Sequence, residues 1–133
     1  MTVPISILLV EDDPDFASSV RLVLEDAGYE IIGIANNCSQ ALKLASERTP
    51  DLAILDLQLD DEIDGVTLGF ELTASDVPII YLTGDITIAI RQAYEIASDF
   101  LEKPLRSVDL LAAVENSLSA RRQPHSLKAL QSP

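Results

Sequence analysis

The sequence predicts an α/β domain in which five parallel strands, ordered 2-1-3-4-5, form one doubly wound sheet with helices on both faces. Two observations point to it. Short uninterrupted apolar runs alternate with segments of helical period, and an unbroken apolar run is the pattern of a parallel strand buried on both faces. Two of these runs also stop abruptly in carboxylates: Ile5-Ser6-Ile7-Leu8-Leu9-Val10 ends in Glu11-Asp12-Asp13, and Leu52-Ala53-Ile54-Leu55 ends in Asp56. Open α/β sheets hold their ligands outside the carboxyl ends of the strands, at the point where the strand order reverses. Both acidic groups are therefore expected in one crevice, outside strands one and three.

The elements follow in order. After strand one, Asp13-Pro14 offers an N-cap and a proline at the first helical position, and Phe16, Val20, Val23 and Ala27 recur at helical spacing until Gly28. Ile31 to Ala35 reads as strand two and Ser39 to Glu47 as helix two; Thr49-Pro50-Asp51 turns the chain into strand three at Leu52. A weaker helix follows Gly65 to about Leu72. Val77-Pro78 introduces strand four, Ile79 to Leu82, while Ile86, Ile90 and Ala93 mark one stripe of helix four. Asp99 to Leu101 reads as strand five, closed by Lys103-Pro104, and Ser107 can cap a last helix with Leu111, Val114 and Leu118 on its buried stripe. Strict alternation predicts a parallel sheet covered on both faces with right-handed crossovers, and the flavodoxin-like order fits it. Residues 1–122 are expected to form this domain; Gln123 to Pro133, with two prolines and no sustained apolar face, is expected to be a disordered tail.

Composition narrows the function. A chain of 133 residues with 47% apolar content can bury one ordinary core. Twenty-two acidic against nine basic residues give a formal charge of −13, so a phosphate backbone would be repelled by most of the surface, and direct nucleic-acid binding is not expected. Cys38 is the only cysteine and has no internal disulfide partner; neither a signal peptide nor an apolar stretch of about 18 residues occurs. These features predict a reduced, cytoplasmic setting without membrane insertion. Cys38 reads as a small packing residue, because its only possible base, His125, lies in the polar tail.

Crowded carboxylates repel one another, and each is costly to desolvate unless a cation neutralises it. The acidic crevice therefore asks for a divalent metal. Further chemistry-bearing residues stand at the later strand ends: Thr83 after strand four and Lys103-Pro104 after strand five. With this ordered set, the chain from roughly Pro4 to Arg122 resembles a receiver domain of the two-component response regulators. The resemblance implies that Asp56 accepts a phosphoryl group from a histidine kinase or histidine phosphotransfer protein and signals to a downstream target protein. It assigns Glu11 and Asp12 to the acidic pair that holds Mg²⁺, Asp12 as the more direct ligand, with Asp56 and the backbone carbonyl of Gln58 supplying further oxygens. Thr83 would be the hydroxyl that moves toward the phosphoryl group, and Phe100, three residues before the lysine, the aromatic that swings inward behind it. Phe100 has no phenolic hydroxyl, so such a switch must work through packing.

The residue types suit that chemistry independently. Phosphoryl transfer is catalysed mainly by positioning and by neutralising charge on the equatorial oxygens, for which an oxygen-liganded Mg²⁺, a lysine ammonium and a hydroxyl donor suffice. Taken singly, each residue has a plainer explanation: an aspartate closing a strand is usually a cap or a solvated turn residue, and Thr83 can satisfy its own turn. Asp13 in particular reads as an N-cap rather than a ligand, and Phe100 as core. Two departures from the common receiver pattern stand out. Position 60 is Asp where many receivers have proline, and Gly65 comes nine residues after Asp56, so the loop Asp60-Asp61-Glu62-Ile63-Asp64 is one residue longer; its carboxylates read as solvated. The other is Gly84 after Thr83, which adds backbone freedom before helix four.

A stand-alone phosphoacceptor that performs no turnover on an external substrate is the expected function. The alternatives are a phosphorylation-independent interaction module, a receiver cut from a longer regulator, and a haloacid dehalogenase-type phosphohydrolase. The last wants an aspartate two residues after its nucleophile, where this chain has Gln58. For a partner surface, Ile88 projects away from the Ile86-Ile90-Ala93 stripe together with Arg91, Gln92 and Glu95. Receivers use the face of helix four, strand five and helix five to bind targets or to dimerise, and Ile88 and Arg91 are the expected members of it here.

Overall fold

The structure, a computed structural model, describes residues 3–59 and 65–122. Five strands alternate with five helices: β1 (Ser6–Val10), α1 (Pro14–Asp26), β2 (Glu30–Ala35), α2 (Cys38–Glu47), β3 (Leu52–Asp56), α3 (Gly65–Thr73), β4 (Ile79–Thr83), α4 (Ile86–Ala93), β5 (Asp99–Glu102) and α5 (Ser107–Arg122). The strands are all parallel and ordered β2-β1-β3-β4-β5, the flavodoxin-like order expected from the sequence. The proposed tail and the loop from Asp60 to Asp64 lie outside the described residues.

Strand alternation divides the core into two layers. Leu8, Val10, Ala53, Leu55, Ile79 and Tyr81 point to one side and pack against α2, α3 and α4. Ile7, Leu9, Leu52, Ile54, Ile80 and Leu82 point to the other and pack against α1 and α5. β1, β3 and β4 are buried along their whole length, which is why they read as unbroken apolar runs. At the amino ends of β1 and β3, the Asp51 side chain accepts hydrogen bonds from the Ser6 backbone N–H (2.9 Å) and hydroxyl (3.2 Å). That clamp helps hold the register in which Val10 pairs with Leu55 at the opposite end of the sheet.

Several boundaries and stripes differ from expectation. α2 starts at Cys38, which is fully buried, because the Asn37 side chain caps it by accepting from the Gln40 N–H at 2.9 Å. Ser107 is the first residue of α5 rather than its cap. On α1 the buried residues are Ala17, Val20 and Leu24, flanked by Phe16 and Val23; Ala27 is the exposed C-cap. On α5 they are Leu110, Ala113, Val114, Ser117 and Leu118, with Leu111 half-buried. The clearest correction is α4, whose sheet-facing residues are Ala89 and Ala93, while Ile90 is 43% exposed. Apolar size misled the expectation there: the positions nearest the sheet are filled by alanines, and the larger isoleucine stands on the helix flank.

Candidate functional site

Register brings the acidic residues together. Val10 and Leu55 are paired neighbours, so the residues that follow them, Glu11 and Asp56, emerge side by side at the carboxyl ends of β1 and β3. Each strand end is tied to its neighbour by the backbone: Glu11 N–H donates to Ala35 O (2.9 Å), Leu57 N–H to Leu82 O (2.9 Å) and Lys103 N–H to Thr83 O (2.8 Å). Glu11 and Asp56 are buried, whereas Asp12 is exposed. One carboxylate oxygen from each of Glu11, Asp12 and Asp56 lies within 4.8 Å of the other two. Asp13 is outside this cluster; its side chain accepts from the N–H groups of Asp15 (3.0 Å) and Phe16 (3.2 Å), the N-cap expected for it.

Lys103 bridges the buried carboxylates. Its Nζ donates to Glu11 Oε1 at 2.6 Å and to Asp56 Oδ2 at 3.3 Å. The other Asp56 oxygen, Oδ1, accepts from the backbone N–H of Gln58 at 2.9 Å. Burial is the largest influence on Glu11 and pushes its carboxyl up to about 7; the bonds from Lys103 and the Asp13 N–H pull the other way, and Asp56 adds to the rise. Burial also disfavours the Lys103 ammonium, but the bond to Glu11 and the charges of Asp56 and Glu11 outweigh it and hold the lysine above its usual range. Lys103 is stabilised by two carboxylates, whereas Glu11 shares that one ammonium with Asp56 and is desolvated by burial. With Asp12 beside them, the oxygen donors come from three carboxylates. A hard divalent cation with oxygen ligands fits such a donor set.

Thr83, buried at the end of β4, lies one strand over from Asp56. Its hydroxyl is engaged locally: Oγ1 donates to Asp85 O at 3.0 Å and accepts from the Asp85 N–H at 3.0 Å. The Asp85 side chain in turn caps α4 by accepting from the Thr87 and Ile88 N–H groups. Glu102, just before the lysine, accepts from the Ile86 N–H at 3.0 Å and so fastens the end of β5 to the start of α4. Sequence reasoning did not single out Glu102, because the contact spans two elements and leaves no local pattern.

Behind the site, Phe100 is half-buried and stacked on Tyr81, with ring centroids 6.1 Å apart and planes at 21°. The fully buried Tyr81 donates its hydroxyl to Gly65 O at 2.7 Å. Glycine suits the first residue of α3, where a Cβ would lie 3.0 Å from Asp56 O and 3.1 Å from Leu57 Cα, closer than most Cβ contacts. Outside β5, Phe100, Glu102, Pro104, Asp109 and Asn116 border a groove of about 360 Å³ between the strand and α5. Ile88 and Arg91 are exposed on α4, three residues apart on one face, and Glu95 lies past the end of that helix.

The strand ends of this fold thus bring three carboxylates and a lysine together at one end of the sheet. A family model of the response regulator receiver domain matches residues 7–115, and the chain belongs to that family. It is 32% identical over 126 residues to the transcriptional regulatory protein PdtaR of Mycobacterium tuberculosis, covering 91% of this chain and 60% of PdtaR. To the nitrogen assimilation regulatory protein NtrX of Azorhizobium caulinodans it is 33% identical over 135 residues, covering 96% of this chain and 30% of NtrX. The solved receiver domain of NtrX from Brucella abortus superposes with a TM-score of 0.79 at 30% identity, covering 85% of this chain and 98% of that one. The chain thus spans 60% or less of the length of these curated relatives. Among the described residues, no helix is long and apolar enough to cross a membrane.

Proposed function

We propose that the chain is the phosphoacceptor of a cytoplasmic two-component phosphorelay, with Asp56 as the residue that takes the phosphoryl group from a histidine kinase or histidine phosphotransfer protein. The convergence of Glu11, Asp12, Asp56 and Lys103 at one end of the sheet carries this reading. An Asp56 carboxylate oxygen forms the new P–O bond as the donor's P–N bond breaks, and the electron pair of that bond returns to the imidazole. Glu11, Asp12 and Asp56, with the backbone carbonyl of Gln58, are the residues to hold Mg²⁺, which when bound supplies positive charge against the phosphoryl oxygens. Lys103 supplies the second positive charge at the same oxygens.

Thr83 starts from two neutral hydrogen bonds within its own turn. A phosphoryl oxygen offers a charge-assisted bond roughly twice as strong as a neutral one, which favours transfer of the hydroxyl to it. The Asp85 N–H then loses an acceptor at the start of α4, and Phe100 repacks against the space left behind Thr83. The readout is a changed affinity of a surface containing Ile88 and Arg91 for a target protein or a second copy of the chain. The module signals and does not turn over an external substrate.

Incubation with acetyl phosphate and Mg²⁺ followed by intact-mass measurement tests this. One added phosphate is expected, and Asp56→Asn should remove it. An unchanged mass in the wild type, or an Asp56→Asn variant that still gains the phosphate, overturns the assignment.

A further inference from the structure

The Lys103 ammonium has a third neighbour besides its two carboxylates. The ring of Phe16, in the first turn of α1, lies with its centroid 4.5 Å from Lys103 Nζ. That is within the range in which an ammonium is attracted to the negative face of an aromatic ring. The placement is built rather than incidental, since the Asp13 cap fixes the start of α1 partly through the Phe16 N–H itself, and the ring is half-buried against the α1–α5 layer of the core. An ammonium has three N–H donors. Two are used on Glu11 and Asp56, and the ring stands beside the remainder.

The chemical difference among the three neighbours is the key. Glu11 and Asp56 both belong to the cluster suited to a divalent cation, so a bound cation competes with Lys103 for them. Phosphorylation of Asp56 esterifies one of its oxygens and moves the negative charge out onto the phosphoryl oxygens, so the carboxylate that Lys103 holds at rest is no longer there as such. The Phe16 ring belongs to neither process and cannot be drawn off by a cation or esterified. We propose that Phe16 is a positioning residue: it holds the Lys103 ammonium over the site while the carboxylates that anchor it at rest are given to the metal and the phosphoryl group. This role rests on the phosphoacceptor reading above. A free lysine side chain carries substantial rotamer entropy, so without the ring Lys103 would sample solvent when its carboxylates are engaged.

Two measurements test the role separately. In proton NMR of the wild type, the Lys103 ε-methylene resonances should be shifted upfield by the Phe16 ring current, and the shift should persist when Mg²⁺ is added to saturation. Loss of the shift on adding Mg²⁺, or its absence throughout, overturns the proposal. In acetyl phosphate kinetics, Phe16→Leu should slow phosphoryl uptake about fivefold, equivalent to about 1 kcal/mol, with Mg²⁺ affinity unchanged. Phe16→Tyr, which keeps the ring face, should restore it, and replacing Phe16 by progressively fluorinated phenylalanines should slow uptake stepwise as the ring face loses its negative charge. Equal rates for the phenylalanine and leucine forms overturn the proposal. A wild type that takes up no phosphate overturns the phosphoacceptor reading instead, and the NMR measurement still decides whether Phe16 holds Lys103.

Discussion

At Glu11, burial and charge act in opposite senses, and burial wins: the folded carboxyl holds its proton up to about 7, against an ordinary value of 4.5. Between those values the folded protein binds more protons than the unfolded chain, so its stability falls as pH rises, and the loss is complete above about 7. Lys103 is shifted upward from 10.5, so its contribution is lost only in the alkaline range and does not overlap. In urea titrations with chelator present, the wild type should lose stability between pH 5 and pH 7 more steeply than Glu11→Gln, which has no carboxyl to ionise; equal slopes would remove Glu11 as the source. Added Mg²⁺ at pH 8 should then stabilise the wild type more than the variant, because the ion favours the charged carboxylate. Of the site residues, Glu11, Asp12, Asp56 and Lys103 were legible as a set because strand ends in a parallel sheet converge by construction. The Thr83 hydroxyl's engagement with Asp85 was legible only as the plain turn reading of that residue, and the Phe16 contact was not legible at all, since a phenylalanine on a helical stripe reads as core.

Two buried hydroxyls on different elements give opposite expectations for one substitution type. Tyr81 on β4 bonds Gly65 O at 2.7 Å, so Tyr81→Phe leaves that carbonyl without this donor and should cost about 1–2 kcal/mol. Ser117 on α5 is buried, and among the described residues its oxygen has no hydrogen-bond partner, so Ser117→Ala removes a desolvated group and should be neutral or stabilising by up to about 1 kcal/mol. Chemical denaturation of the two variants should move the midpoint in opposite directions or leave the second unchanged; destabilisation by Ser117→Ala would mean that the hydroxyl has a partner after all. At this scale the order of elements was readable throughout, because each buried strand is a continuous apolar run and each helix is bracketed by caps or turns. Which face of a helix meets the sheet was less readable. On α4 the sequence pattern favours isoleucines, but Ala89 and Ala93 take the sheet-facing positions, and on α1 Ala17 does the same. Hydropathy ranks an isoleucine above an alanine, whereas close helix–sheet packing can prefer the smaller side chain.

Across the whole molecule, a formal charge of −13 sets a repulsive background for any second copy of the chain. Screening shortens that repulsion to about 8 Å at physiological salt, so self-association is expected to strengthen as salt is raised, and an apolar contact must supply the attraction. Ile88 is suited to it, being 45% exposed on α4 next to Arg91, one of only nine basic residues in the chain. Its helix is coupled to the site from two directions: Asp85, which bonds Thr83, caps its first turn, and Glu102, which precedes Lys103, holds the Ile86 N–H. Movement of Thr83 or Lys103 therefore has a direct mechanical route to the face that carries Ile88. Ile88→Asp should weaken phosphorylation-dependent association with a second copy or a target, because it adds a charge to an already acidic surface and removes the apolar contact. It should leave the rate of phosphoryl uptake unchanged, since Ile88 is on the exposed flank of α4 and outside the acidic cluster. Light scattering with a stable phosphoryl analogue and Mg²⁺, at low and high salt, together with pull-down of the target, reads both terms. Identical association of wild type and variant in both assays would exclude Ile88 from the interface, and slowed uptake in the variant would show that α4 supports the site rather than only reporting its state.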